Sequence, residues 1–223
     1  MIEVILDTET TGLKVSDGHR IVEIGCIELN DLIPTKKSFH CYLNPERKVS
    51  EDAFKVHGYT DEFLSKQKKF YEIVDEFLKF IKDKRLIIHN AEFDISHLNN
   101  ELKLIGKNKI EEEIVDTLKM ARDKFPGSST SLDALCKRYN IDNSRREKHN
   151  AVIDCELLSK VYINLLDQKE PSLNLNDEKN YFENQVLVDT KIKYYNKVIK
   201  PTEEELRLHK DFLKNNIKKN YFN

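Results

Sequence analysis

An apolar strand that runs straight into two carboxylates constrains this chain more than any other feature. Ile2, Val4 and Leu6 alternate with Glu3, Ile5 and Asp7 at the period of a β-strand, which places Asp7 near the strand's end. Glu9 follows and points to the same side as Asp7, because side chains two apart share a face of an extended segment. Two carboxylates so placed repel each other unless a cation lies between them. Thr10, Thr11 and Gly12 then end the strand.

More acids and one histidine stand further along. Asp94 follows the apolar strand Leu86, Ile87, Ile88 and the pair His89-Asn90, where a helix through Ile95, Leu98 and Leu102 begins. It either caps that helix or joins the first two acids. His149 and Asp154 are five apart, which on one helix turns them by about 140° from each other. A shared site therefore needs His149 on the loop before the helix, and the run Ser144 to Lys148 supplies a loop.

Phosphodiester hydrolysis explains the combination. In-line displacement at phosphorus is clamped by two divalent cations about 3.5–4 Å apart, and hard cations of that kind take clustered carboxylates. A histidine, whose unperturbed pKa is roughly 6.5, suits proton abstraction from water. Asp7, Glu9, Asp94 and Asp154 as metal ligands, with His149 as general base, make up the parts of a metal-dependent nuclease site. His89 and His97 read as hydrogen-bonding residues. Phe93, beside Asp94, has two readings: a face on which a base stacks, or a core side chain. Its divergence from Asp94 at a helix start favours the core.

Elsewhere the periodicity describes an α/β chain. The stretches Ile21 to Leu29 and Ser38 to Leu43, separated by Asn30-Asp31 and Pro34, predict an antiparallel meander after the first strand. Ile73, Val74, Phe77, Leu78 and Ile81 form a helical stripe. Leu132, Leu135, Cys136 and Tyr139 form another, with Thr130 and Asp133 in capping-box spacing. The last core helix is expected from about Ala151 to Leu166. Strands in a row followed by alternating helix and strand predict a mixed sheet flanked by helices.

With 39% hydrophobic residues in 223, the chain supports one core plus an appendage. No apolar run approaches the roughly 20 residues of a membrane span, and the N-terminus opens into a strand rather than a leader, so a cytoplasmic location is expected. Cys26, Cys41, Cys136 and Cys155 lack the spacing of a zinc site, and three of them fall on apolar faces, as reduced, buried thiols do. A net charge of −2 grips a polyanion poorly. Either a basic rim of Arg145, Arg146 and Lys148 compensates, or a partner delivers the strand.

Beyond Leu166 the composition turns polar, and Asp167 to Asn184 has too few apolar residues for a core of its own. A helix is expected to start at Pro201-Thr202, where Thr202 and Glu205 have capping-box spacing and Glu203 to Glu205 suit a helix N-terminus. Its apolar residues Leu206, Leu208, Phe212 and Leu213 are too few to fold alone, so the helix needs a surface to cover.

Together LDTETTG, IVEIG, EDAFKVHG, IIHNAEFDI, FPG with SLDALCKRYNIDNS, and HNAVID resemble the DEDDh exonucleases, and within them the epsilon-type proofreading branch attached to bacterial replicative polymerases. The resemblance implies a ribonuclease H-like fold with a five-stranded mixed sheet. It implies 3′→5′ hydrolysis of DNA releasing nucleoside 5′-monophosphates, with Asp7, Glu9, Asp94 and Asp154 binding two Mg²⁺ or Mn²⁺ ions and His149 as base. Thr10, Thr11, His57 and Asp52 would hold the terminal nucleotide along with Asp7, Glu9, Phe93 and Asp154. Here Asp52 stands where many relatives carry glutamate, and Glu92 replaces a common alanine.

The same resemblance implies three segments: a nuclease domain at 1–167, a linker at 168–200, and a polymerase-binding helical segment at 201–223. Within the linker, Glu170 to Leu175 lies where relatives carry a sliding-clamp peptide, with Glu170 in place of the usual glutamine. Partners implied are a single-stranded or frayed DNA 3′ end, the polymerase catalytic (alpha) subunit, the sliding clamp and a small theta-like subunit. The same five residues also serve exoribonucleases and oligonucleotide hydrolases, and a chain of this kind can act mainly as a bridge between polymerase and clamp.

Overall fold

The structure, a computed structural model, describes residues 1–146, 148–166 and 201–216. Its first unit is built on a five-stranded sheet in the order β3-β2-β1-β4-β5. The strands are β1 (Ile2–Thr10), β2 (Ile21–Asn30), β3 (Ile33–Tyr42), β4 (Arg85–Ile88) and β5 (Ile114–Asp116). β1 to β3 form the antiparallel meander, while β4 pairs in parallel with β1 and β5 in parallel with β4, so the sheet is mixed as expected.

β1 lies at the centre, and its alternation divides the core in two. Val4 and Leu6 pack with Ile73, Val74, Phe77 and Ile81 of helix α3 (Phe70–Ile81) and with Leu98 and Leu102 of α4 (Ala91–Leu104). Ile5 faces the other way, toward Leu135 and Cys136 of α6 (Leu132–Arg138) and Cys155, Leu158 and Val161 of α7 (Ala151–Leu165). Each fully buried aliphatic side chain contributes about 1.5–3 kcal/mol relative to exposure. Two short helices, α1 (Glu51–His57) and α2 (Asp61–Ser65), follow the meander, and α5 (Thr117–Lys124) follows β5.

Two boundaries differ from the sequence expectation, and at α4 one of two open readings is excluded. β3 begins at Ile33 rather than Ser38 and contains Pro34. β3 is an edge strand, where the missing N–H of proline is tolerated. The cap of α6 is Ser131, whose hydroxyl accepts from the N–H of Ala134 at 3.3 Å, in place of Thr130, which is buried. Asn90, with φ of 70°, occupies the N-cap position of α4, so Asp94 lies a turn inside that helix and is not its cap.

At α7, Asn150 caps the helix by accepting from the N–H groups of Val152 and Ile153. The first turn presses on β2 at Gly25, where an added Cβ would lie 2.6 Å from the backbone of Ala151, so only glycine permits the approach. The four cysteines are free thiols, and Cys26, Cys136 and Cys155 are buried.

Chain contacts separate Met1–Asn174 from Leu175–Asn223. In the second unit a helix spans Glu203–Asn216, and its capping box is formed: Thr202 donates from its backbone to Glu205 Oε2 at 2.7 Å, and Glu205 N–H donates to the Thr202 hydroxyl at 3.3 Å. The proposed linker 168–200, with Glu170 to Leu175, and the end of the tail lie outside the described residues. Among those described, no helix is long and apolar enough to cross a membrane.

Candidate active site

The far end of β1 carries the acids between the two helical layers. Asp7 and Glu9 share the face of Ile5, which looks toward α7, while Thr8 shares the face of Val4 and Leu6, which looks toward α4. The short His89-Asn90 connection lets α4 start directly after β4. This brings the buried Asp94 to β1, where its Oδ1 accepts from the N–H of Thr8 at 3.0 Å and from the Thr8 hydroxyl at 2.7 Å. Asp154, buried in the first turns of α7, approaches from the opposite face.

His149 stands on the loop before α7, its N–H donating to the carbonyl of Val56 in α1 at 3.2 Å. Its Nδ1 is 3.4 Å from Asp154 Oδ2 and 3.9 Å from Glu9 Oε1. Glu9, His149 and Asp154 offer ligand atoms all within 4.8 Å of one another. Asp7 and Asp94 stand outside that group but border the same cavity.

Crowding shows in the proton affinities. Burial, then the charges of Asp154, Glu23 and Asp94, pushes Glu9 up to about 8. Burial raises Asp94 to about 7 against the pull of its Thr8 hydrogen bonds. Burial, then the charges of Asp94, Glu9 and Asp154, holds Asp7 well above the usual carboxylate range. A divalent cation relieves this repulsion, and a set of carboxylate oxygens fits a hard metal ion. Asp154 is the exception: burial raises it, but the hydrogen bonds from Arg146 outweigh that and leave it low.

The site opens into a cavity of about 920 Å³ whose walls include Thr10, Asp52, His57 and Phe93. His57 is buried, stacks on Tyr59 with ring centres 4.7 Å apart, and accepts from the N–H of Tyr59 through Nδ1. Burial holds its pKa below the usual value. Asp52 is exposed at the rim and paired with Lys55 at 3.1 Å. Thr10 donates its hydroxyl to the carbonyl of Gly12.

Thr11 is not in the cavity wall: it is fully buried, and its hydroxyl is engaged by His19 Nδ1 and the N–H of Arg20. Phe93 belongs to neither core cluster, contrary to expectation. It is half-buried, lines the cavity and packs on His97 with ring centres 4.6 Å apart. The cavity is wide enough to receive both Phe93 and Asp94, although they point about 100° apart on α4. His89 and His97 make hydrogen bonds, to the Thr117 hydroxyl and the Phe93 carbonyl.

Two residues of the site are absent from the sequence expectation, and a third lies elsewhere than expected. Thr8 positions Asp94. Glu23, entirely buried, accepts from His40, Tyr59, Asn150 and the N–H of Ala151, and so ties β2 to the start of α7. A lone acid among Ile21, Val22 and Ile24 was the available signal. Arg146 is no rim residue: its side chain is 6% exposed and bonded to Asp154 and Asp133. Arg145 alone of that pair faces solvent, 3.6 Å from Glu156, while Lys148 lies over the Phe54 ring.

The Exonuclease (RNase_T) family model matches residues 4–162. The DNA polymerase III subunit epsilon of Rickettsia typhi is 46% identical over 217 residues, covering 95% of each chain. That of Buchnera aphidicola subsp. Schizaphis graminum is 42% identical over 223 residues, again covering 95% of each. Among solved structures, the nuclease domain of 3′hExo, a DEDDh family member bound to rAMP, superimposes with a TM-score of 0.66 at 18% identity, covering 75% of this chain and 92% of that one. Exonuclease X in complex with 5′ overhanging duplex DNA gives a TM-score of 0.59 at 23% identity, covering 74% and 92%.

Proposed function

The chain belongs to the DNA polymerase III epsilon-subunit family of exonucleases, and on that premise we propose that it proofreads DNA by 3′→5′ hydrolysis within a bacterial replicative polymerase. One observation carries the reading: acids from β1, α4 and α7 border one cavity, where Glu9, His149 and Asp154 offer ligand atoms within 4.8 Å of one another.

Asp7, Glu9, Asp94 and Asp154 are the ligands for two Mg²⁺ or Mn²⁺ ions, which when bound stabilise the charge of an in-line displacement at the phosphate. His149, partly open to the cavity, takes the proton of the attacking water. Thr10 and His57 face the terminal nucleotide across the cavity, Asp52 stands at its rim, and Phe93 offers its ring to the base. A terminus enters with its base unstacked from any partner, so single-stranded or frayed 3′ ends are the substrate. The product is a nucleoside 5′-monophosphate.

A net charge of −2 supports delivery of the strand by a partner. Residues 1–167 are the catalytic domain and 168–200 a linker. In 201–223, the helix Glu203–Asn216 leaves Leu206 45%, Leu208 59% and Phe212 55% exposed, an apolar set suited to docking on the polymerase catalytic subunit. Clamp and theta-like contacts, and a cytoplasmic location, belong to the same reading.

The test is release of nucleoside monophosphates from matched single-stranded DNA and RNA with blocked 3′ or 5′ ends, in Mg²⁺ or EDTA. Mg²⁺-dependent loss from free DNA 3′ ends that collapses in His149→Ala is the expected result. Preference for RNA moves the protein to the exoribonucleases of the family, and inactivity with retained polymerase binding makes it a bridging subunit.

A further inference from the structure

Both oxygens of Asp154 are held by one side chain. Arg146 Nε lies 2.5 Å from Oδ1, and Nη2 lies 2.7 Å from Oδ2. The same Nη2 is 2.9 Å from His149 Nδ1. A guanidinium has donors and no acceptor, so His149 Nδ1 must be the acceptor and its lone pair is engaged. The third nitrogen, Nη1, donates to Asp133 Oδ2 at 2.7 Å, and Asp133 is half exposed in the cavity wall.

Arg146 thus touches the two groups whose availability the reaction needs. A cation at Asp154 repels the guanidinium that lies against both of its oxygens, so loading favours the withdrawal of Arg146. For His149 to take a proton at Nδ1, the same guanidinium must release that lone pair. One nitrogen, Nη2, serves both contacts, so a swing of the guanidinium away from Asp154 also carries that donor away from His149.

We propose that Arg146 is a positioning residue that couples cation loading to exposure of the general base: it leaves Asp154 and His149 together, pivoting on Asp133. The inference rests on the reading of Asp154 as a metal ligand and His149 as the base. After the pivot the guanidinium remains at the cavity wall, where a phosphate oxygen of the incoming strand replaces Asp154 as its anion. Planar, forked donors suit that exchange, and an ammonium does not reproduce it.

A purely structural Arg146, pinning the loop to α6 and α7, makes the opposite prediction for metal binding. Its removal would loosen the site and weaken the cation's hold. Under the coupling, removal takes away a competitor and strengthens it.

The experiment uses the full chain as wild type, Arg146→Gln and Arg146→Lys. Mg²⁺ affinity is read by titration calorimetry, and the His149 ring nitrogens by long-range proton–nitrogen NMR, assigned with His149→Ala. In Arg146→Gln, Mg²⁺ affinity rises by roughly tenfold, equal to about 1.4 kcal/mol. Its Nδ1 signal already stands, without Mg²⁺, where wild type arrives only on Mg²⁺ addition. Hydrolysis falls in the same variant, and Arg146→Lys lies between. Unchanged or weaker Mg²⁺ binding in both variants, with a wild-type His149 spectrum, overturns the coupling and leaves the site assignment standing. If wild type itself binds no Mg²⁺, the ligand reading falls, and the coupling with it.

Discussion

Thr8 grips Asp94 twice on the same oxygen, by backbone N–H at 3.0 Å and by hydroxyl at 2.7 Å. The bond joins β1 to a helix 86 residues away and fixes where that carboxylate stands relative to Asp7 and Glu9. Thr8→Val keeps the backbone bond and removes the hydroxyl. A stability loss of about 1–2 kcal/mol is expected, the cost of one hydrogen bond to a buried acid. Hydrolysis should fall by roughly 10–100-fold, as when a partner that orients a metal ligand is lost. Denaturant unfolding and single-turnover rates check both, and an unchanged rate would place the Thr8 hydroxyl outside the site's support.

Glu9→Gln separates stability from activity. Glu9 is buried among acids that raise it to about 8, so near neutral pH its ionisation opposes folding. The amide keeps the shape and removes the charge. Metal-free protein should gain about 1 kcal/mol at pH 8, while Mg²⁺-dependent hydrolysis drops at least about a hundredfold. A melting temperature that falls in EDTA would contradict the electrostatic account.

The pH dependence follows the same groups. Glu9 rises from 4.5 to about 8 and Asp94 from 3.8 to about 7, so the folded chain keeps protons that the unfolded chain has given up. By linkage, their contribution to stability is present at low pH and is lost as pH rises through the folded values. In EDTA the melting temperature should therefore decline between about pH 5 and pH 8 from this source. Cation binding expels those protons, so Mg²⁺ affinity should rise over the same window. A Mg²⁺ affinity that is flat from pH 6 to pH 8 would remove Glu9 and Asp94 from the ligand set.

Legibility in the sequence followed how local each determinant is. The i,i+2 relation of Asp7 and Glu9 was readable because strand period alone sets it. His149 on a loop and Asp154 on the following helix were readable because five residues cannot share one helix face. The partner of Asp94 was not, since spacing around Asp94 carries nothing about Thr8. Arg145 and Arg146 are the same residue type in one loop. Only the positions of Asp154 and Asp133 decide which of them turns inward. At α6, two adjacent hydroxyls competed for the cap, and backbone geometry selected Ser131.

Glu23 links the fold to the base. It accepts from four donors: His40 at 2.8 Å, the Tyr59 hydroxyl at 2.7 Å, Asn150 at 2.8 Å and the N–H of Ala151 at 3.0 Å. Glutamine has one acceptor oxygen and sets an NH₂ against donors. Glu23→Gln should cost about 3 kcal/mol of stability. It should also lower kcat more than it raises KM, because α7 carries Asp154 and starts beside His149, and small displacements there cost up to about a hundredfold. Asn150→Ala should act in the same direction, and the double variant should lose less than the sum of the two. Strict additivity would mean that Glu23 supports the fold without acting through Asn150.

Phe93 distinguishes a cavity wall from a core side chain. It stands outside both hydrophobic clusters, half-buried against His97, with Asp94 next to it. A base entering the cavity meets its ring, and such stacking contributes about 1–3 kcal/mol. Phe93→Ala should therefore raise KM for single-stranded DNA by roughly 5–150-fold, with Mg²⁺ affinity unchanged. Phe93→Tyr, which keeps the π-face, should retain most of the binding. A core phenylalanine behaves otherwise, because its truncation costs about 3–5 kcal/mol of stability. Unfolding curves for Phe93→Ala decide between the two, since a loss of that size with KM unchanged would return Phe93 to the core.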